Sequence, residues 1–351
     1  MDNGLLFSPL RIGDLLLPNR IVMSPLTRSR AGAVRMPNAL MAEYYAQRAS
    51  AGLIISEATV VTPDGVGYAD TPGIWSQEQA AGWRLVTQAV HEAGGRIFLQ
   101  LWHCGRISHP MFLDGALPVA PSAIAPAGPV RLVRPETPYV IPRALERGEI
   151  PGIVAAYKRG AQNAQAAGFD GVEVHGANGY LLDQFLQDST NRRTDDYGGA
   201  IENRARLMLE VVDAAIAVWG AGSVGLHLAP RGDAQSMGDS DLAATFGYVA
   251  REAGRRGLAF LCAREYVGPD SLGPRLKRDF GGAYIANEKF TRESAEEILA
   301  RGDADAVAFG QLFIANPDLP RRFALKAALN APRLETFYRG GAEGYTDYPA
   351  L

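Results

Sequence analysis

The feature that most constrains the fold is a regular alternation of short apolar runs with longer amphipathic stretches. Eight apolar runs are present, at 20–25, 53–59, 96–102, 170–175, 223–229, 257–263, 283–287 and 305–310. Stretches between them carry helical periodicity, for example at 76–94, 154–168, 202–220 and 291–302. Strand followed by helix predicts a parallel sheet, and near-continuous apolar strands are typical of a sheet that is covered on both faces.

Eight such units within 351 residues predict an α/β fold, a single (β/α)8 TIM barrel formed by residues 1–351 as one domain. A doubly wound sheet is the structural alternative. Residues 6–19 are predicted to form a hairpin that plugs the bottom of the barrel. The Pro-rich stretch 104–150 is too long for a simple loop after strand 3, so we expect an excursion over the top of the barrel.

Composition excludes several classes of function. The chain is 47% hydrophobic and 21% charged, with a formal net charge of −3, so we expect no nucleic-acid or membrane partner. Two cysteines are too few for a disulfide framework or a zinc ribbon. The N-terminus lacks a signal-peptide pattern, and a cytoplasmic location is expected. The oligomeric state stays open between a monomer and a homodimer.

Polar side chains gather where the apolar runs end, which in a (β/α)8 barrel is the face that carries active sites. The residues at these ends include Thr27, Glu57, Gln100, Trp102, His103, His175, Asn178, Tyr180, His227, Arg231, Arg264, Glu265, Asn287 and Gln311. Buried polar groups cost free energy unless they are paired, so the cluster as a whole favours a functional interpretation.

Known sequence motifs narrow the chemistry. His103, His175 and His227 permit a metal-dependent hydrolase as an alternative, but strand 1 offers no His pair and strand 8 no Asp, so no metal is expected. The GxSxG, GxGxxG and Walker A motifs are missing. A nucleotide cofactor would instead be held by backbone N–H groups after strands 7 and 8, near 287–288 and 310–311.

Several longer segments carry a family resemblance. They are LFSPLRIG and NRIVMSPLTRSRA within 6–31, RIFLQLWHCGRISHP at 96–110, GFDGVEVHGANGYLLDQFLQDSTNRRTDDYGGAIENRAR at 168–206, MGDSD at 237–241, DAVAFGQLFIANPDL at 305–319 and FYRGGAEGYTDYP at 337–349. The chain resembles the old yellow enzyme family of flavin-dependent ene-reductases, and is most similar to the bacterial branch of N-ethylmaleimide, nitrate-ester and xenobiotic reductases.

The resemblance implies a TIM barrel that binds FMN non-covalently at its top and uses NAD(P)H as reductant. It places residues against the flavin ring, its N1 edge and its phosphate: Pro25, Leu26, Thr27, Ala58, Gln100, His227, Asn287, Glu288, Gly310 and Gln311. It places Trp102 and Tyr338 in the substrate pocket. His175 and Asn178 are implied to hydrogen-bond the substrate oxygen, and Tyr180 to donate the proton.

The segment VEVHGANGY at 172–180 fits that chemistry. Hydride addition to an enone pushes negative charge onto the carbonyl oxygen, and two donors aimed at that oxygen stabilise it. His175 and Asn178 are three residues apart, so on a helical turn they would share a face. A phenol, with an ordinary pKa of about 10, stays protonated at neutral pH and can supply the proton.

Some positions depart from the family pattern. Where relatives carry an arginine on strand 5, this chain has His227, which would make the flavin potential sensitive to pH between about 5.5 and 7.5. Arg231 is a candidate substitute. Gln311 stands where an arginine is usual, and Asn287, Glu288 and Lys289 replace glycines, so Glu288 must point away from a bound phosphate.

The function predicted from sequence is an FMN-dependent NAD(P)H oxidoreductase with ping-pong kinetics. Its expected substrates are activated alkenes (enones, enals, maleimides and nitroalkenes), with nitrate esters and nitroaromatics as further candidates. A flavin-binding protein without efficient turnover, such as a reservoir or a redox sensor, is the alternative.

Overall fold

The structure is a computed structural model that describes residues 4–232 and 234–351. Its strands are β1 (Leu10–Ile12), β2 (Leu15–Leu17), β3 (Ile21–Met23), β4 (Leu53–Ile55), β5 (Thr59–Val60), β6 (Ile97–Trp102), β7 (Val119–Ala120), β8 (Arg143–Ala144), β9 (Gly171–His175), β10 (Val224–Leu228), β11 (Phe260–Arg264), β12 (Ala283–Asn287) and β13 (Ala306–Phe309). Its α-helices are α1 (Ala39–Ala46), α2 (Gln77–Glu92), α3 (Ile150–Ala166), α4 (Leu181–Leu186), α5 (Ile201–Trp219), α6 (Leu242–Arg255), α7 (Gly273–Phe280), α8 (Arg292–Ala300), α9 (Gln311–Ala315) and α10 (Leu319–Leu325).

Eight parallel strands close into a barrel. They follow one another in the order β3, β4, β6, β9, β10, β11, β12 and β13, and β13 pairs again with β3. Seven of the eight apolar runs contain one of these strands, and the run 257–263 overlaps β11, which ends one residue later at Arg264. The predicted TIM barrel is therefore confirmed, and the doubly wound sheet is excluded because its outermost strands would be unpaired.

Local sequence signals explain where the surrounding helices begin. At α2, the Ser76 hydroxyl accepts the Gln79 N–H, and the Gln79 side chain accepts the Ser76 N–H in return. Such a capping box satisfies backbone donors that a helix start leaves unpaired. The helices predicted at 76–94, 202–220 and 291–302 are confirmed as α2, α5 and α8. Helix α3 begins at Ile150 rather than 154, since Pro151 is well tolerated in a first turn.

The N-terminal hairpin closes the bottom of the barrel, as predicted. Strands β1 and β2 pair antiparallel, with Ile12 opposite Leu15. Ile12 and Leu17 are fully buried and pack with Val22 and Phe260 in a core cluster separate from the main one. Apolar side chains of the hairpin thus seal the end of the barrel opposite the strand C-termini.

The long stretch after strand 3 forms the predicted excursion. Strand β7 pairs parallel with β8, and between them the Val130 N–H donates to the Thr137 carbonyl at 2.7 Å. Residues 128–139 form a narrow loop, here named the excursion hairpin, in which Pro129 bridges Pro138. The hairpin lies over the C-terminal face of the barrel and lines its cavity.

Buried arginines fasten the C-terminal segment to the barrel. Arg28, just after β3, donates to the carbonyls of Phe337 and Gly344 at 3.0 and 2.8 Å. Tyr44 of α1 stacks on Tyr345 with ring centroids 4.0 Å apart. These contacts bring the segment that contains Tyr338 to the rim of the cavity. No helix among the described residues is both long enough and apolar enough to span a membrane.

Candidate active site

One large cavity opens at the C-terminal ends of the barrel strands and has a volume of about 1260 Å³. Every residue predicted for the site lines it: Pro25, Leu26, Thr27, Ala58, Gln100, Trp102, His175, Asn178, Tyr180, His227, Asn287, Glu288, Gly310, Gln311 and Tyr338. Their clustering follows from parallel strands that end on one face of the barrel. The role of each residue stays a prediction.

The segment after β9 is a tight turn and not the helical turn expected from sequence. Asn178 has a left-handed backbone with φ of 60°, Gly179 follows with φ of 78°, and α4 begins only at Leu181. The Gly179 N–H donates to the Asp183 carboxylate at 2.8 Å. A Cβ at Gly179 would stand 2.7 Å from the Gln235 side chain, so the close packing requires glycine here.

His175 is buried and has unused hydrogen-bonding capacity. Its side chain is at the end of β9, and its Nδ1 atom finds no partner among the described residues. Burial lowers the His175 pKa well below its usual range, and the positive charges of His227 and Arg264 lower it further. The imidazole is therefore neutral at neutral pH and carries a single N–H donor.

Tyr180 stands in an aromatic group at the side of the cavity. Its ring contacts Trp102 edge-on with centroids 4.9 Å apart, and its hydroxyl lies 3.1 Å from the Tyr68 hydroxyl. Burial raises the Tyr180 pKa, Cys104 adds to that shift, and the hydrogen bond to Tyr68 opposes it. The phenol thus keeps its proton at neutral pH. Sequence reasoning missed Tyr68, because it follows the short strand β5 and not a barrel-strand end.

The Asn178 side chain is held by Arg264, which is itself paired with Glu288. The Arg264 Nη1 atom, at the end of β11, donates to the Asn178 Oδ1 atom at 2.9 Å. The same guanidinium donates through Nε to the carboxylate of Glu288, which follows β12. Glu288 thus points toward Arg264, whose positive charge neutralises the carboxylate. Without this pairing, the carboxylate would repel a phosphate bound in the cavity.

His227 lies in a buried polar group on the barrel wall. Its Nδ1 atom is 3.3 Å from the Glu173 carboxylate, which also accepts from Gln100 Nε2 at 2.7 Å. Burial alone lowers the His227 pKa, but Cys262 and Glu173 outweigh it and raise the pKa to about 10. The imidazole is therefore protonated at neutral pH, and the expected pH sensitivity between 5.5 and 7.5 does not follow from this structure.

Arg231 does not replace the strand 5 arginine that the resemblance implies at the position of His227. Its Nε atom donates to Glu265 at 2.8 Å and its Nη1 atom pairs with Asp270, outside the cavity lining. His227 is thus the cation from strand 5 that reaches the cavity.

The three histidines of the metal alternative do not converge. His103 is buried away from the cavity, where its Nδ1 atom accepts the Gly105 N–H at 3.0 Å. Side chains of Glu173, His227 and Cys262 do lie within 4.8 Å of one another. They already pair among themselves, with His227 as the cation between a carboxylate and a thiol.

The cavity walls fit FMN. Pro25, Leu26 and Ala58 offer an apolar surface for a flat ring, and the His227 Nε2 atom is buried there without a partner in the described chain. An unpaired buried donor of this kind is expensive unless a ligand pairs with it. Lys289 and Lys326 also line the cavity, as does Gly310, so the lining offers a phosphate group cations and backbone N–H groups.

Comparison with known proteins agrees with this geometry. The profile of the NADH:flavin oxidoreductase / NADH oxidase family matches residues 5–330. Morphinone reductase is 50% identical, with a TM-score of 0.95 over 100% of this chain and 97% of that one. An old yellow enzyme homologue from Zymomonas mobilis is 46% identical, with a TM-score of 0.96 over 99% of both chains.

The chain belongs to the old yellow enzyme family. A protein of Leishmania infantum, described as a probable flavin mononucleotide-dependent alkene reductase, is 43% identical over 99% of this chain and 97% of its own length. Membership makes the chain an FMN-containing oxidoreductase with a nicotinamide reductant.

Proposed function

We propose that this protein reduces the C=C bond of activated alkenes, with NAD(P)H as reductant and His175, Asn178 and Tyr180 as the residues that act on the substrate. The observation that supports it best is that these three residues line one cavity together with the residues that fit FMN. Enones, enals, maleimides and nitroalkenes share an oxygen conjugated to the C=C bond, so all present the same acceptor to the two donors. Nitrate esters and nitroaromatics carry similar oxygens and are proposed as further substrates.

His175 and Asn178 bind the oxygen of the substrate. A neutral imidazole and an amide each provide an N–H donor and carry no net charge. As electron density moves onto the oxygen, both hydrogen bonds strengthen, and a donor of this kind typically contributes about 2.7–4 kcal/mol to the transition state.

Tyr180 supplies the proton to the α-carbon. Its raised pKa keeps the phenol protonated across the physiological range. Tyr68, whose hydroxyl is 3.1 Å away, fixes the direction of the Tyr180 hydroxyl and can stabilise the phenolate that remains after transfer.

FMN, when bound, supplies the hydride that it has accepted from the nicotinamide. Trp102 and the excursion hairpin line the same cavity. The nicotinamide and the alkene would both have to enter it, so we expect them to do so in turn, with ping-pong kinetics. His227, held protonated by Glu173, places a positive charge on the wall that fits the ring.

The first experiment is the visible spectrum of the purified protein, followed by denaturation and identification of the released chromophore. We expect flavin bands and FMN near unit stoichiometry. The protein should then oxidise NADH or NADPH in the presence of N-ethylmaleimide or cyclohex-2-enone. A protein that takes up FMN but whose reduced form is not reoxidised by an enone in a single turnover would be a flavin reservoir or sensor instead.

Replacing Tyr180 by Phe tests the proton donor. We expect turnover of cyclohex-2-enone to fall by a factor of about 10² to 10⁴, with little change in flavin reduction by NAD(P)H. Tyr157→Phe is the matched control, because this tyrosine is buried in α3 outside the cavity lining and its hydroxyl has no partner among the described residues. Equal turnover by Tyr180→Phe and the control would remove Tyr180 from the mechanism.

A cytoplasmic location and a monomeric or homodimeric state are proposed with this function. Cell fractionation and light scattering of the purified protein test them.

A further inference from the structure

The Arg264 side chain pairs with Glu288 and extends beyond that ion pair to Asn178. It is 41% exposed, and its only hydrogen-bonding partners among the described residues are Asn178 and Glu288. An ion pair this exposed contributes little to stability, at most about 1 kcal/mol. The position nevertheless matters, because Arg264 ends β11, reaches across the top of the barrel and touches the amide that faces the substrate.

The chemistry of the guanidinium decides which way that amide points. Arginine has hydrogen-bond donors and no acceptor, so the atom of Asn178 at 2.9 Å from Nη1 must be the amide oxygen. The amide nitrogen is thereby turned away from Arg264. Asn178 lines the cavity, so its two N–H donors are left for a ligand oxygen.

Glu288 keeps Arg264 in place. Its carboxylate accepts from the guanidinium Nε atom, and its own backbone has φ of 125°, a conformation that side-chain-bearing residues rarely adopt. In this backbone conformation, the Glu288 carboxylate meets the Arg264 guanidinium. With both ends engaged, the guanidinium fork has a single orientation toward Asn178.

We propose that Arg264 is a positioning residue for alkene reduction, which locks the Asn178 amide with its N–H donors toward the substrate oxygen and strengthens their hydrogen bonds by its charge. This inference rests on the proposed function, since it needs Asn178 to bind that oxygen. A polarised amide is a better donor, because electron density withdrawn at its oxygen makes the N–H hydrogens more positive. Arg264 also lines the cavity, and its proposed effect on the reaction is exerted through the Asn178 amide.

A double-mutant cycle between Arg264 and Asn178 tests this role. With cyclohex-2-enone as substrate, Arg264→Ala should lower kcat/KM about tenfold. This is the effect expected from the loss of one charge-assisted hydrogen bond that is partly screened by solvent. In an Asn178→Ala background, the same change should alter kcat/KM by less than about twofold, because the amide through which it acts is gone. Effects that simply add would overturn the proposal, as would an Arg264→Ala variant equal to the wild type.

Two conservative variants separate orientation from packing. Arg264→Lys retains a side chain that only donates, so it should keep more activity than Arg264→Gln, which can also accept and so lets the amide turn over. The reverse order would contradict the proposal. Arg231→Ala is the matched control: it removes an equal charge from the same end of the barrel without contact to Asn178, and kcat/KM should stay within about twofold of the wild type.

A binding measurement gives a readout that does not depend on turnover. Cyclohexanone presents the same carbonyl but cannot be reduced, and its dissociation constant can be followed by the change in flavin absorbance. Arg264→Ala should raise this constant several-fold while the FMN content stays that of the wild type. An unchanged constant would overturn the inference. A wild-type protein that holds no FMN or does not reduce the enone would instead refute the proposed function itself.

Discussion

The charge on His227 is set by Cys262 and by Glu173, whose carboxylate reaches it from the neighbouring strand β9. Where the family resemblance implies a permanently charged arginine, this chain has an imidazole whose pKa is raised to about 10 by Cys262 and Glu173 against the effect of burial. Substitution of arginine by histidine therefore need not remove the positive charge. His175, a second histidine whose ring lies close to His227, stays neutral at neutral pH.

The raised pKa of His227 predicts a pH dependence of stability. Its pKa is about 10 in the folded protein, and an unfolded histidine has a pKa of about 6.5. The stabilisation is therefore complete below pH 6.5 and is lost as the pH rises through 10. In that window the free energy of unfolding of the wild type should fall relative to His227→Arg by up to about 1.4 kcal/mol for each pH unit.

Urea unfolding at several pH values measures this difference, and groups that titrate in both proteins cancel. Glu173→Gln is the second variant: without the carboxylate only Cys262 opposes the effect of burial, so the His227 pKa should fall and the decline should become smaller. A wild type that parallels His227→Arg from pH 6.5 to 10 would show that His227 is not the cation described here.

At the scale of an element, the turn between β9 and α4 positions both Asn178 and Tyr180. Gly179→Ala should destabilise the protein by about 1–3 kcal/mol and lower kcat/KM, because the methyl group would press on Gln235 and shift the turn. Gly199 has nearly the same φ, 77° against 78°, but a Cβ there meets nothing within 4 Å. Gly199→Ala thus carries the backbone cost alone, and activity as low as that of Gly179→Ala would argue against close packing as the cause.

The same elements show what sequence could and could not predict. All eight barrel strands were predictable, because each lies within or overlaps a nearly continuous apolar run, and these runs alternate regularly with helical stretches. The turn at Asn178 was not, since its left-handed backbone depends on Asp183 and on residues near Gln235 that are distant in sequence. Nor was the bond from Arg264 to Asn178, which joins residues 86 positions apart. Glu173 was hidden inside a run that reads as apolar.

At the scale of the whole molecule, segments that are far apart in the chain meet at the cavity. Barrel strands, the excursion hairpin and the C-terminal segment with Tyr338 all line it, so the site exists only in the folded protein. A ligand that binds only the folded state stabilises it by RT ln(1 + [L]/Kd), which is about 2.7 kcal/mol at a hundredfold excess over Kd. Removal of FMN should therefore lower Tm, and added FMN should restore it.

Riboflavin, which lacks the phosphate, separates the contribution of the flavin ring to binding from that of the phosphate. It has the same ring for Pro25, Leu26 and Ala58, but nothing for Lys289 and Lys326 to bind. We expect riboflavin to raise the Tm of the apoprotein less than FMN at equal concentration, and the gap to close in a Lys289→Ala, Lys326→Ala double variant. Equal shifts from both flavins in the wild type would mean that Lys289 and Lys326 do not hold the phosphate. The two lysines would then not compensate for the arginine that the family resemblance implies at the position of Gln311.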